Sequence, residues 1–545
     1  MSKVAHYLQE HVSGEVMVGP DARKYFSTDA SVFEITPAII VYPRSENDIR
    51  KTARFTWQLA ERGRVVPITA RGAGTDQSGA AIGSGIVLVF PAHMNRILEL
   101  DAKTGAVTVE PGLNYAKMQQ ALHTHGRFLP PFPASLEYST VGGAVGNNAG
   151  GEKSVKYGST RKYTKSLRVV LANGEVIETR RLSKRELNRK MGLSTFEGEI
   201  YRALDTLIEE NHDLVKELKI GVSKNSAGYA LSEIKRKDGS FDLTPLLVGS
   251  QGTLGVVTEI TFATEPYVPG STLISANVQS IEQIQGLVTA LNKLPNPPSA
   301  VEVVDDNLLK FVHTQNPNQL RKLLSPPFPK FVMLIEFDDS SDRIRKKMVK
   351  KAEKILEKQT IEYKVENDEE KKDELWKIRH SASAVTAFSK GNTKALPIIE
   401  DGIVPIDNLQ EYIENVQALF KKNGLPAAIW GHAGDGNLHM QPLLDLNQVG
   451  DRQKVFRLIN EYYSMVIDLG GSTSGEHGDG RLRGPYLEKL YGPEGYELFN
   501  KVKNIFDPYK ILNPGVKLGV SLDDTKKMLR YEYSINNLYD HLPRL

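Results

Sequence analysis

Cysteine is missing from all 545 residues. That excludes disulfides, thiolate zinc sites, cysteine-ligated iron–sulfur clusters and a cysteinyl cofactor linkage within this chain. Any electron bound for an iron–sulfur cluster must reach another polypeptide. Long apolar runs are missing too. None approaches a membrane span, and Met1 to Glu10 lacks the apolar core of a signal peptide, so the expected location is cytoplasmic. An excess of one charge sign is also lacking: 69 Lys+Arg stand against 66 Asp+Glu, and a net charge of +3 makes no general case for nucleic acid. There is no solenoid repeat and no low-complexity tract. What is left is an ordinary globular composition, 40% hydrophobic and 25% charged. The chain is too long for one core and should divide into two or three domains.

Glycine is placed unevenly. Ser45-Glu46-Asn47-Asp48 has the form of a capped helix start, with Ile49, Ala53, Trp57 and Ala60 at helical spacing until Gly63. A short strand, Val65 to Thr69, then runs into Arg71-Gly72-Ala73-Gly74-Thr75-Asp76-Gln77-Ser78-Gly79. A Gly-rich loop after a strand can turn several backbone N–H groups toward one anion, or it can be a plain tight turn. It is neither a Walker loop nor the Rossmann fingerprint. A second stretch joins Pro133-Ala134-Ser135 to Thr140 through Gly151 and Tyr157-Gly158, and a third runs from Gly249 to Thr258. Between them Leu167 to Leu171 reads as a strand, and Asn173-Gly174 signals a turn before Val176 and Ile177. Three glycine loops in one half of the chain suggest an extended ligand of dinucleotide length.

The second cluster is Gly431 to His439 with Gly475-Glu476-His477-Gly478. His432, His439 and Glu476 offer two imidazoles and a carboxylate, a divalent metal site with open positions that suits zinc and also manganese or iron. The histidines are too far apart for helical i, i+4 pairing, and the glycines between them argue for loops. A lone loop histidine is more often a hydrogen-bonding residue than a ligand; here the clustering argues for metal. Asp435 is either a turn residue or a group that orients a ligand imidazole.

Beyond Pro266 the texture changes. Leu273 to Val278, Val301 to Val304, Phe331 to Phe337 and Ile361 to Val365 read as strands, and Ile281 to Leu291 and Asp342 to Lys358 as helices. The pattern points to an antiparallel sheet covered by helices. Trp376 to His380 reads as the opening of a further helical segment.

Arg71 to Thr75, Gly142-Gly143 with Asn147 to Gly151, and Gly249 to Gly255 together resemble the FAD-binding domain of flavoproteins of the vanillyl-alcohol-oxidase (PCMH) type. The motifs at 431–439 and 475–480, with Phe506-Asp507-Pro508 and Ile511 to Gly515, resemble the branch containing D-lactate, glycolate and D-2-hydroxyglutarate dehydrogenases. One departure is Gln251, where a glutamate is expected. The resemblance implies an α+β architecture. It has an N-terminal segment (1–33), a two-subdomain FAD-binding domain (34–266), a ferredoxin-like antiparallel substrate cap (267–425), a C-terminal helical segment with the metal and catalytic motifs (426–520), and a tail (521–545).

It also implies residue roles. Arg71, Gly72, Ala73, Gly74, Thr75, Gln77 and Ser78 would hold the FAD pyrophosphate and line the isoalloxazine together with Pro133, Ser135, Thr140, Gly142, Gly143, Asn147, Asn148, Gly150, Gly151, Tyr157 and Gly158. Gly252, Gly255, Val256 and Val257 would close over the cofactor, and Asn513 would also bind it. Arg379, Ser383 and Lys394 would bind substrate carboxylate, which suits a guanidinium fork and an ammonium. His477, beside the metal ligands, would take the hydroxyl proton. The expected reaction is oxidation of a D-2-hydroxy acid, D-lactate ahead of D-2-hydroxyglutarate or glycolate. The acceptor would be separate: an iron–sulfur protein, an electron-transfer flavoprotein, a cytochrome or a quinone. A non-catalytic flavin subunit and a transferase like alkylglycerone-phosphate synthase remain as other readings. The apolar tail is expected to pack on its own protein, with a homodimer or the membrane's inner face as the other surfaces open to it.

Overall fold

A computed structural model describes residues 2–101, 103–267, 270–321, 323–382, 392–426 and 428–535. Two sheets build the first half. In the first, Ile39–Tyr42, Ile86–Val89 and Ile68–Arg71 pair in parallel, and Glu15–Met17 adds an antiparallel edge. Its hydrophobic face packs on helix Glu46–Glu61 through Ile49, Ala53 and Ala60. Ser45 holds the N-cap position without a side-chain bond. Asp48 accepts instead from Ser13 and Arg44 backbone N–H groups at 2.8 and 2.9 Å. The second sheet is antiparallel, ordered Ile97–Asp101, Ala106–Val109, Val256–Ala263, Thr164–Val170, Val176–Thr179. Its central strand Val256–Ala263 alternates buried and half-buried positions, the period-2 pattern of a strand with one face on the core.

The third sheet is six-stranded and antiparallel. Its order is Glu362–Glu366, Thr272–Val278, Phe331–Phe337, Ala300–Asp305, Ile429–His432, Asn437–Met440. Phe331–Phe337 is buried at every position because both faces are covered. Helices Ile281–Asn292, Asp342–Lys358, Leu409–Lys422 and Val449–Asp468 bury Leu287, Ala352, Val416 and Ile459 in the same core. Leu287, Val416 and Ile459 each contribute roughly 1.5–3 kcal/mol by leaving water. The chain then returns to the first half. Phe499, Val502 and Phe506 of helix Leu487–Phe506 join the core of the five-stranded sheet, and Ile511 and Leu512 join that of the first sheet.

The described part of the tail packs on its own protein. Phe33 bridges Leu529, and Tyr533 is buried. Leu538 and Tyr539 lie outside the described residues. At Trp376–His380 the helix ends, where the sequence suggested a start. Asp368 caps it by accepting from Lys371 N–H, so the acidic run Glu369-Glu370 forms its first turn.

Candidate active site

A cavity of about 1190 Å³ is walled by the Gly-rich loops on one side and by the third sheet and helix Glu369–His380 on the other. That exceeds the usual single-ligand pocket and leaves room for a cofactor and a substrate. Ala70–Gln77 brings the loop of the first sheet to the wall; helix Val141–Asn147 and residues 250–257 bring the others. Two of the glycines have a local reason. A Cβ on Gly72 would stand 2.1 Å from Thr140 Oγ1, and Gly74 holds a left-handed φ of +79°. Gln77 Oε1 and Ser139 Oγ are buried on this wall with no hydrogen-bond partner among the described residues. They are open positions for a polar ligand such as a dinucleotide.

Of the residues expected at the cofactor, Arg71, Gly72, Ala73, Gly74, Thr75, Gln77, Pro133, Ser135, Thr140, Gly142, Gly143, Asn147, Gly150, Gly252, Gly255 and Val257 line the cavity. Ser78, Asn148, Gly151, Tyr157, Gly158, Val256 and Asn513 do not line it. Several of these hold the wall from behind. Asn513 Nδ2 donates to Ala80 O and Gln251 O, and Asn148 donates to Ser226 Oγ. Tyr157 OH donates to Asp338 at 3.0 Å. The amide of Gln251 uses both ends: Nε2 donates to Ser78 and Asn147 at 3.1 and 3.0 Å, and Oε1 accepts from Gly480 N–H at 2.8 Å. A carboxylate could not make both donations.

His432 and His439 lie on adjacent strands of one hairpin, not on loops. Trp430 pairs with His439 and His432 with Asn437. Gly436, at φ +73°, makes the turn that lets two strands replace the expected loop. Glu476 Oε1 lies 3.0 Å from His432 Nε2 and 3.5 Å from His439 Nε2. The far nitrogens are spoken for: His432 Nδ1 lies 2.8 Å from Glu302 Oε1, and His439 Nδ1 donates to Glu400 O at 2.6 Å. Both rings therefore turn Nε2 inward to Glu476; the His439 Nε2 has its lone pair available, whereas the His432 Nε2 holds a proton that a metal would have to displace. Asp435 touches neither ring. It accepts from Ser154 Oγ at 2.5 Å and faces Lys224 at 3.6 Å.

The surrounding charges are buried and unequal. Arg379 pairs with Glu302, Arg483 with Glu400, Lys224 with Glu476 and Lys517 with Asp479. Asp401 and Asp435 remain, both buried, so carboxylates outnumber the Lys and Arg cations of the cluster by two, and His432 offsets one of them. The donor set of two imidazoles and a carboxylate fits a divalent ion, which would take the place of the His432 proton. Burial pushes the His432 imidazole down, but Glu302 and Glu476 outweigh this and hold it up at about 9. Burial pushes His439 down to about 4, against the pull of Glu476, so it stands neutral as a ligand must. Burial raises Glu476, yet Lys224 and His432 bring it well below the usual carboxylate range.

His477 is the most exposed of the three rings, at 29%, and lines the cavity. Its Nδ1 sits 2.5 Å from Glu400 Oε2, off the line of a hydrogen bond, and its ring stacks on His439 at 5.3 Å. Arg379 lines the cavity with its Nε 2.6 Å from Glu302 Oε2. Lys394 does not line it; it pairs with Leu444 in a two-residue ladder. Ser383 lies outside the described residues. Three groups escaped the sequence reading: Glu302, Glu400 and Lys224. Glu302 carried a signal, since it is the lone charge inside Ala300–Val304 and buried charges need partners. Glu400-Asp401 was visible only as an acidic pair, and nothing local marks Lys224.

Known proteins resemble this chain along most of its length. Residues 37–180 match the family model of an FAD binding domain, and residues 270–516 match that of the FAD linked oxidases, C-terminal domain. The glycolate oxidase subunit GlcD of Bacillus subtilis is 31% identical over 497 residues, covering 90% of this chain and 92% of that one. The D-lactate dehydrogenase of Anaerostipes hadrus is 27% identical over 510 residues, covering 92% and 94%. The D-2-hydroxyglutarate dehydrogenase of Pantoea ananatis is 28% identical over 544 residues, but the chain spans only 52% of its length. This chain thus covers about half of such relatives. The fold is that of p-cresol methylhydroxylase, with a TM-score of 0.69 at 15% identity over 96% of this chain and 97% of that one. With a 31% identity that runs over nine tenths of both sequences, the chain belongs to the FAD-linked oxidases.

Proposed function

We propose that this protein oxidises a D-2-hydroxy acid, D-lactate first, to the 2-oxo acid, using FAD and a divalent metal held by His432, His439 and Glu476. The observation that carries the reading is the meeting of this metal-type cluster, Arg379, His477 and the Gly-rich loops on one cavity. When bound, FAD supplies an acceptor for the Cα hydride, and the metal supplies the Lewis acidity that lowers the hydroxyl pKa. Arg379 receives the substrate carboxylate, and Glu302 keeps its guanidinium from turning away. His477, stacked on His439 at the cavity wall, takes the hydroxyl proton. Zinc suits the ligands without redox interference, and manganese or iron fits the same set. The electrons leave to a separate acceptor: an iron–sulfur protein, an electron-transfer flavoprotein, a cytochrome or a quinone.

Two features support a monocarboxylate over D-2-hydroxyglutarate. Lys153, on the cavity wall, is held by Glu336 at 2.6 Å and Asp338 at 3.1 Å, and His380 lies 3.0 Å from Glu152. Among the described residues Lys153 and His380 already face carboxylates, whereas the bond of Arg379 to Glu302 uses its Nε alone, which disfavours a second acid group on the substrate.

Anaerobic mixing with D- and L-2-hydroxy acids, read as bleaching of the flavin absorbance, tests the reading. D-lactate should bleach the flavin and L-lactate should not. Chelator-treated protein should keep its flavin and lose the bleaching. Full turnover after exhaustive metal removal would refute the metal assignment, and no bleaching by any acid would refute the dehydrogenase.

A further inference from the structure

Lys224 belongs to none of the motifs that marked the site, yet its ammonium is buried against Glu476, with 2% of the side chain exposed. The two oxygens of Glu476 are divided. Oε1 faces His432 Nε2 and His439 Nε2, while Oε2 takes the Lys224 ammonium at 2.5 Å. The same Nζ donates to Ser154 Oγ at 2.9 Å, and Asp435 stands 3.6 Å off. An ammonium has three donors, and here each has a direction to serve.

The lysine cannot swing aside, because its loop is stapled to the loop of Glu476. Ser226 N–H donates to Ser474 O at 3.0 Å, and Ser226 Oγ donates to Gly475 O at 3.1 Å. Ser472 Oγ donates to Asn225 Oδ1 at 2.7 Å, and Gly228 N–H donates to Asp479 at 2.8 Å. Gly150 closes the other side, where a Cβ would come within 3.1 Å of Nζ.

We infer that Lys224 is a positioning residue that holds Glu476 as a one-oxygen ligand and so keeps a metal position free for the substrate. The inference rests on the metal reading above. A carboxylate can give a metal one oxygen or two. A fixed cation on Oε2 competes with the metal for that oxygen. Removing it frees the second oxygen and leaves Glu476 and Asp435 without their counter-charge, so the site draws a cation more strongly while offering the substrate less. Tighter metal with slower chemistry is the opposite of what simple damage to the site would cause.

The test uses the full-length flavoprotein as wild type, Lys224→Met and Lys224→Arg. Cobalt substitution reports coordination through its visible d–d bands, which weaken as ligand number rises. In Lys224→Met these bands should weaken, and chelator competition should show metal held about tenfold or more tighter, the scale on which outer partners act. Flavin reduction by the hydroxy acid should slow in parallel. Lys224→Arg, which keeps the charge, should return the wild-type bands. Wild-type bands in Lys224→Met, or metal held equally or more loosely, would overturn the inference. A wild type that takes up no stoichiometric metal would instead overturn the metal reading. Flavin content reports folding, and Lys224→Gln replaces the methionine variant if that one does not fold.

Discussion

A Cβ placed on Gly150 would stand 2.4 Å from Glu476 Oε2, so the Gly-rich loop and the carboxylate that faces His432 and His439 have no space between them. The backbone at Gly150 is not left-handed, and an alanine there meets crowding without dihedral strain. What must move is the tip of Glu476, already pinned by Lys224. Gly150→Ala is therefore expected to fold and bind flavin, while metal affinity falls by about 10- to 100-fold. Titration against a chelator checks this. An alanine variant with wild-type affinity would show slack at Glu476.

Glu302 joins two functions through one carboxylate, with His432 Nδ1 at 2.8 Å on one oxygen and Arg379 Nε at 2.6 Å on the other. Glu302→Gln keeps the shape but loses the charge that both partners face. The Michaelis constant for the hydroxy acid should rise and metal affinity should fall, each by about tenfold, since a charge-assisted bond is worth roughly 1.5–3 kcal/mol. If only the metal affinity changes, Arg379 is not positioned by Glu302.

The parts of this fold with a local cause were legible in the sequence. Asp342–Lys358 forms a helix because Met348, Ala352 and Leu356 share one buried face, and the sheet strands follow their own apolar runs. Glycine clustering located the cavity loops, and histidine clustering located the metal-type centre. The hairpin under those histidines was hidden, because its strands are held by pairing with Ala300–Asp305, far off in the chain. Glu302 lies 130 residues before His432, and Lys224 lies 252 before Glu476. Contacts of that span leave no period in a sequence, and a lone lysine in a Ser- and Asn-rich stretch reads as a loop.

Asp305 ends the strand that carries Glu302 and caps helix Asp306–Gln315 by accepting from Leu308 N–H at 2.9 Å. Burial pushes its carboxyl up to about 7, against hydrogen bonds from the Leu308 and Ile429 backbone. The folded protein thus holds a proton that the unfolded chain gives up near the ordinary value of 3.8. The stability this adds is complete below that value and is lost as pH rises through about 7. From pH 5 to pH 8 the loss is about 2–3 kcal/mol. Asp305→Asn keeps the acceptor and does not titrate. Its denaturant midpoint should fall less than that of the wild type over this interval, and parallel curves would remove Asp305 from the account.

Arg530 fastens the tail. It is buried, and its guanidinium donates to Phe33 O and Ser534 O, each at 3.0 Å, and to Asp29 O and Ser31 O. Tyr533 OH donates to Ala30 O at 2.9 Å nearby, and Tyr533 and Ile535 stand on the cavity wall. One side chain thus ties the C-terminal segment to the loop beside Gly74, whose carbonyl accepts from Ala30 N–H. Arg530→Ala takes a donor from several buried carbonyls at once, at about 1–3 kcal/mol for a group left unpaired. Chymotrypsin should cut at Tyr531 and Tyr533 sooner in this variant, and flavin should be released faster because part of its wall has loosened. A lysine in place of Arg530 restores the charge but not the planar fork, so Arg530→Lys should fall between the two. If Arg530→Ala resists the protease as the wild type does, the tail is held by its apolar contacts and the fork is incidental.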